Sequence, residues 1–154
     1  MNMHKHIMDE FFTSLTSFGT PLFYALIIVI VSRFNFNLAI LILITLVITE
    51  IVGGIIKLVY PSDRPIPRKR TSLYEKYDAG TFPSIHTARI SALAIMINFY
   101  YFDYALLACS ILLVLGVGYS RVYLKHHYSI DVIGGFILGA IISIIMRLWQ
   151  NGFL

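Results

Sequence analysis

Long apolar runs, separated by short polar stretches that collect most of the charge, constrain this chain more than any other feature. The runs cover residues 21–33, 36–60, 84–102, 104–119 and 128–149. A helix needs about 20 mainly apolar residues to cross a bilayer. At about 1.5 Å per residue, the run over 36–60 is long enough to cross with tilt. Residues 21–33 are short for a crossing and are expected to borrow from residues 14–20. Hydrophobic residues make up 58% of the chain and charged ones 13%, with a mean hydropathy of +0.78. A soluble domain carries about a quarter charged residues. The chain therefore reads as an integral membrane protein, whose partner is the bilayer and not nucleic acid.

The length of 154 residues allows one domain, 1–154, with no room for a second core. Ahead of the apolar runs, residues 3–19 place Ile7, Phe11, Phe12, Leu15 and Phe18 at helical spacing, with His4, Lys5, Asp9 and Glu10 between them. That pattern predicts an amphipathic helix lying in the interface. Acidic residues interrupt Met1–Thr20, so no cleavable signal peptide is expected. The predicted fold class is all-α: a polytopic membrane helical bundle of about five transmembrane helices plus the N-terminal interfacial helix. The single cysteine, Cys109, excludes an internal disulfide and a cysteine metal cluster, and is expected to be a small buried hydrophobe. Gly135 and Gly139 form a small-residue pair suited to close helix packing.

Residues 61–83 carry four prolines and the basic run Arg68-Lys69-Arg70, and read as an extramembrane loop. Two crossings separate this loop from the one over residues 120–128, so parity puts both on one side of the membrane. The polar face so formed gathers Lys57, Arg64, His86, Arg121, His127 and Asp131, while the opposite face holds little beyond Arg33, Asp103 and Arg147.

Each group on that face has a chemical reading and a plain one. His127 and Asp131 open the last run one helical turn apart. A carboxylate there can accept one ring N–H and leave the other nitrogen as nucleophile or base; the plain alternative is a polar cap on a membrane helix. Arg121 presents a fork of donors suited to an oxyanion. Lys57, in the last turn of its helix, and Arg64, returning from the loop, could hold a dianion from two sides or bind anionic headgroups. Pro83-Ser84-Ile85-His86 is a helix start. Its free N–H groups and the Ser84 hydroxyl could face an anion, and His86 could pass a proton to a departing oxygen. Glu50 and Arg89 lie inside apolar runs, where charges are costly. They are expected either to pair or to be solvated separately.

Taken together, the three stretches resemble the type 2 phosphatidic acid phosphatase family, within the vanadium haloperoxidase superfamily. The family pattern Lys-x6-Arg-Pro, Pro-Ser-x-His and Ser-Arg-x5-His-x3-Asp is met by Lys57 to Arg64-Pro65, by Pro83-Ser84-Ile85-His86, and by Ser120-Arg121 to His127 and Asp131. Two features depart from it: Ile85 stands where the family has glycine, and five crossings are counted where many members have six. The resemblance implies a metal-independent phosphohydrolase without cofactor, acting on a lipid phosphate or pyrophosphate such as an isoprenoid carrier pyrophosphate or a glycerolipid phosphate. Lys57, Arg64 and Arg121 would hold the phosphate oxygens with Ser84. His127 would attack phosphorus to form a phosphohistidine, Asp131 would orient it, and His86 would protonate the leaving oxygen. His126 does not fit the pattern and reads as a bystander. Hydrolysis of a soluble phosphate ester and a catalytically silent lipid-binding protein remain alternatives. Counting Lys and Arg puts the charged face inside the cell; the resemblance puts the site on the extracytoplasmic face of the cell membrane, and that orientation is the one expected.

Overall fold

The computed structural model describes residues 3–153, which are helical throughout apart from short connections. The order is α1 (Met3–Thr16), a single 3-10 turn (Ser17–Gly19), α2 (Pro21–Ser32), α3 (Phe36–Val59), α4 (Leu73–Ala79), α5 (Ile85–Tyr100), α6 (Tyr104–Tyr123) and α7 (Ser129–Phe153). Local chemistry sets the boundaries. Pro21 occupies the first turn of α2, where its missing N–H is no loss. Asn35 caps α3 by accepting the Leu38 N–H at 2.9 Å. Asp103 does the same for α6, accepting from Ala105 and Leu106.

Among the described residues, α3, α6 and α7 are long and apolar enough to cross a membrane. α1 with its 3-10 turn, and α2, pass the same test only as a pair bent by 53°, which would make a fourth, broken span. α5 has 16 residues, about 24 Å of helix against a hydrocarbon core of about 30 Å. The expected count of about five spans is therefore not confirmed, although the all-α, multi-pass membrane architecture is. The loop over 61–83 also differs from expectation. It contains α4, whose start is a capping box in which Ser72 and Glu75 satisfy each other's backbone N–H.

Packing follows the rule for lipid, where burial of apolar surface gives little drive and close backbone approach gives more. α5 sits at the centre, with α7 along one side, α3 on another and α6 on a third. A Cβ at Gly135 would lie 2.4 Å from the Ser84 carbonyl oxygen, and one at Gly139 2.3 Å from that of Ala88. The glycine pair is thus a packing device that lets α7 run against the α5 backbone. The inner faces bury Leu38, Ile42, Ile90, Met96, Val117 and Ile142. The outer faces are equally apolar: Leu43, Val47, Ile51 and Ile55 of α3 are exposed. Cys109 is also exposed on α6, which corrects the expectation of a buried side chain. A membrane helix is apolar on every side, so hydropathy does not say which face is covered. Glu50 and Arg89 pair: Arg89 Nε donates to Glu50 at 2.8 Å and Nη2 reinforces the bond. The Tyr77 hydroxyl donates to the same carboxylate.

Candidate active site

The polar end of the bundle is built from helix termini. At the end of α3 a buried Lys57 donates through Nζ to the Gly80 carbonyl and lies 5.7 Å from the Tyr77 ring centroid. Arg64 returns from the following loop and is also buried. Its Nη2 is 3.8 Å from Asp78, which Arg68 also engages. Burial pulls the Arg64 guanidinium below its ordinary range, Arg68 adds to the effect, and Asp78 and Asp131 oppose it. The Asp78 carboxyl is partly buried, which would raise it, but the Arg68 bond and the charges of Arg68, Arg64 and Lys57 hold it below the usual range.

α6 ends in a turn that folds the chain back over its own last residues. Lys125 takes a left-handed conformation with φ of 56°. The His126 and His127 N–H groups both return to the Arg121 carbonyl, at 3.0 and 3.1 Å, while the Lys125 N–H bonds to Val122. This is a Schellman termination with lysine at the position glycine usually fills. It sets the Arg121 backbone beside that of His127, and both side chains are buried.

The Asp131 carboxylate accepts the Tyr128 N–H at 2.7 Å and the Thr81 hydroxyl. His127 Nδ1 is 3.6 Å from Asp131 Oδ2, beyond direct hydrogen-bond reach, but only 3.1 Å from Thr81 Oγ1. Because the Thr81 hydroxyl proton is committed to Asp131, its oxygen is free to accept from Nδ1–H. The ring is thereby fixed in the tautomer that leaves Nε2 bare. Burial, together with the charges of Lys57, Arg121 and Arg64, brings the His127 imidazole down to about 4, against the opposing effect of Asp131. Neighbouring His126 is half-buried and is likewise brought down to about 4, by burial and Arg121.

The sequence reading missed Thr81. The available signal was a hydroxyl two residues before the Pro83-Ser84 helix start, in a loop already assigned to the polar face. α5 and α7 meet where the Ser84 N–H donates to the Asp131 carbonyl at 2.9 Å. The Ser84 hydroxyl is buried and receives a bond from Thr87 at 3.1 Å. His86, half-buried in the first turn of α5, lies within electrostatic range of Arg121 and His127.

All seven sequence-predicted residues, Lys57, Arg64, Ser84, His86, Arg121, His127 and Asp131, therefore lie at one end of the bundle. Lys57, Arg64 and Arg121 feel one another's charge, and the carboxylates among them are Asp78 and Asp131. Among the described residues, Nε of Arg64 and Nε of Arg121 are buried donors with no hydrogen-bond partner. Such an excess of buried positive charge, with unspent planar donors, suits a polyanionic oxygen group. Beside it, an apolar groove of about 670 Å³ runs between α5, α6 and α7. Thr87 and Ser129 line its end nearest the site, and Val114, Leu115, Ile133 and Phe136 line its length.

The fold is similar to that of two solved structures. One is the PAP2-type phosphatidylglycerolphosphate phosphatase of Bacillus subtilis, with a TM-score of 0.78 and 22% identity over 96% of this chain and 78% of that one. The other is LpxE of Aquifex aeolicus, with a TM-score of 0.79 and 20% identity over 92% of this chain and 86% of that one. No curated protein matches. The PAP2 superfamily model matches residues 37–153, a segment that holds every motif residue from Lys57 to Asp131. That match, covering most of the chain and all of its site, makes this protein a member of the PAP2 superfamily.

Proposed function

We propose that the chain is a membrane phosphohydrolase that removes phosphate from a lipid phosphate or pyrophosphate without a metal ion. The observation that carries this reading is the meeting of a neutral, orientationally fixed His127 imidazole with three buried cations, two of which, Arg64 and Arg121, keep an unspent guanidinium Nε donor. Phosphoryl transfer asks mainly for positioning and charge neutralisation. Lys57, Arg64 and Arg121 supply the charge, with Ser84 beside them. His127 Nε2 attacks phosphorus, and the bond to the leaving oxygen breaks as His86 delivers a proton to it. Water then attacks the phosphohistidine, gives a proton back to His86 and releases inorganic phosphate. Asp131 steadies the charge that develops on the ring, acting through Thr81.

The groove beside the site supports a lipid as substrate, because it is lined at one end by Thr87, which bonds to Ser84, and by Ser129, and is apolar along its length. A hydrocarbon chain lying there keeps its headgroup at the depth of the cations and gains about 0.8 kcal/mol of anchoring per buried methylene. The name of the Bacillus relative, a phosphatidylglycerolphosphate phosphatase, points to a glycerolipid phosphate, and an isoprenoid carrier pyrophosphate offers the same combination of headgroup and tail. We place the site on the extracytoplasmic face, following the family resemblance. The test is phosphate release from a panel of lipid phosphates, lipid pyrophosphates and short soluble esters in the same mixed micelles, with chelator present. At least tenfold higher kcat/KM for the long-chain substrates is expected. Equal efficiency on a soluble ester would overturn the lipid assignment, and loss of activity in chelator would overturn metal independence.

A further inference from the structure

The segment ahead of residue 37 lies outside the matched family segment, yet it touches the site at two points. Thr16, the last residue of α1, accepts a hydrogen bond from Arg121 Nη1 at 2.9 Å. Gly19, in the 3-10 turn that follows, lies so close to His86 that an added Cβ would stand 2.7 Å from the histidine Cβ and Cδ2. The elbow is held there from both sides. On one side Phe12 is buried with its ring 4.4 Å from that of Tyr123 and 5.3 Å from that of Tyr119. The Tyr123 hydroxyl donates to Asp9 at 3.0 Å. On the other side Arg89, tied to Glu50, donates through Nη1 to the Gly19 carbonyl at 3.1 Å.

We infer that the α1–α2 elbow is a wall of the active site, with Thr16 a positioning residue that aims Arg121 at the phosphate. The inference rests on the phosphatase reading above. A guanidinium is planar and has five donors. Thr16 engages Nη1 and so leaves Nε and Nη2, which share the opposite edge. Nε is the buried, unpartnered donor of that edge. Two parallel N–H groups on one edge are the geometry that binds two oxygens of one phosphate. A hydroxyl acceptor on Nη1 restrains rotation of the guanidinium plane without competing for the edge that faces the anion. Gly19 acts on the neighbouring group by limiting the space in which the His86 ring can turn.

The test compares Thr16→Val, which keeps the shape and removes the acceptor, with Thr16→Ser, which keeps the acceptor. The readouts are orthovanadate inhibition, kcat and KM in mixed micelles, and melting temperature in detergent. Thr16→Val is expected to weaken orthovanadate inhibition and lower kcat/KM by roughly three- to tenfold, with little change in melting temperature, and Thr16→Ser to restore both. In an Arg121→Lys background, where there is no fork to aim, Thr16→Val should have no further effect on inhibition. This second comparison reads the coupling even if the single variant is partly destabilised. Unchanged inhibition in Thr16→Val, failure of serine to restore it, or an equal loss in both backgrounds would overturn the role of Thr16 while leaving the phosphatase standing. An inactive wild-type protein whose melting temperature ignores orthovanadate would overturn both.

Discussion

At the scale of single residues, the distinctive feature is that a hydroxyl stands between the imidazole and its carboxylate. A direct His127–Asp131 bond would need the two groups about 0.5 Å closer than they are by ordinary N–H···O geometry. Thr81 spans that gap, with its proton on Asp131 and its oxygen on Nδ1. Thr81→Val is therefore expected to lower kcat by roughly ten- to a hundredfold, because the ring loses the partner that fixes its tautomer. Thr81→Ser should keep most of the activity. A valine variant with wild-type kcat would show that the hydroxyl is a bystander. The same environment sets a pH dependence. Burial and then the cations bring the imidazole to about 4, below its ordinary value near 6.5. Between those two values the unfolded chain binds a proton that the folded one does not. The His127 contribution to stability is thus complete above about pH 6.5 and is lost as the pH falls through about 4. For the same reason the acid limb of phosphohistidine formation, followed by acid-labile, base-stable labelling in single turnovers, is expected near pH 4 and not near 6.5.

At the scale of elements, glycines decide how closely α5 and α7 approach, and that approach decides where Asp131 stands relative to Ser84. The nearest atom to a Cβ on Gly135 is a backbone oxygen, which cannot swing aside as a side chain would. Gly135→Ala is expected to cost about 2 kcal/mol of bundle stability, seen as a lower melting temperature in detergent. It should also reduce kcat, because the Ser84–Asp131 contact lies at the same crossing. A glycine partner also accounts for Ile85 in the Pro-Ser-x-His motif. Ile85 is buried, and its Cδ1 would lie 2.2 Å from a Cβ on Gly53, so α3 makes room for the larger side chain. The turn after α6 shows a local choice at odds with local preference. Lys125 holds a left-handed conformation, which costs a residue with a Cβ roughly 1–2 kcal/mol. Lys125→Gly is expected to raise the melting temperature while leaving the fold intact. A lowered melting temperature would show that the lysine side chain contributes more than its backbone costs.

At the scale of the whole molecule, one half-buried ion pair joins parts of the chain that share no motif. Glu50 of α3, Arg89 of α5, Tyr77 of α4 and the Gly19 carbonyl of the elbow meet in a single network. Removing one charge of such a pair leaves the other uncompensated in a poorly polar surrounding. Glu50→Gln and Arg89→Gln should each lower the melting temperature. The double variant should lose less than the sum, with a coupling of about 0.5 kcal/mol or more. Strictly additive shifts would show that the pair is not an energetic unit.

The sequence by itself indicated the long helices, their membrane setting and the residues gathered at the polar end, but not α4 within the loop over 61–83. Those follow from apolar run length and from one-turn spacings, both of which act within a few residues. Parity of crossings also put the two polar loops on one side, with residues 84–102 taken as a crossing, and the structure brings those loops together where Thr81 meets Asp131. Only the tertiary structure decided that Thr81 stands between His127 and Asp131, 50 residues from the latter, or that Thr16 holds Arg121 from 105 residues away. It also decided that Glu50 and Arg89 pair, that Cys109 faces outward and that α5 runs for only 16 residues. Neither periodicity nor hydropathy encodes contacts at such separations. In lipid the inner and outer faces of a helix are chemically alike, so burial is set by which surfaces fit, and fit exists only once the helices have met.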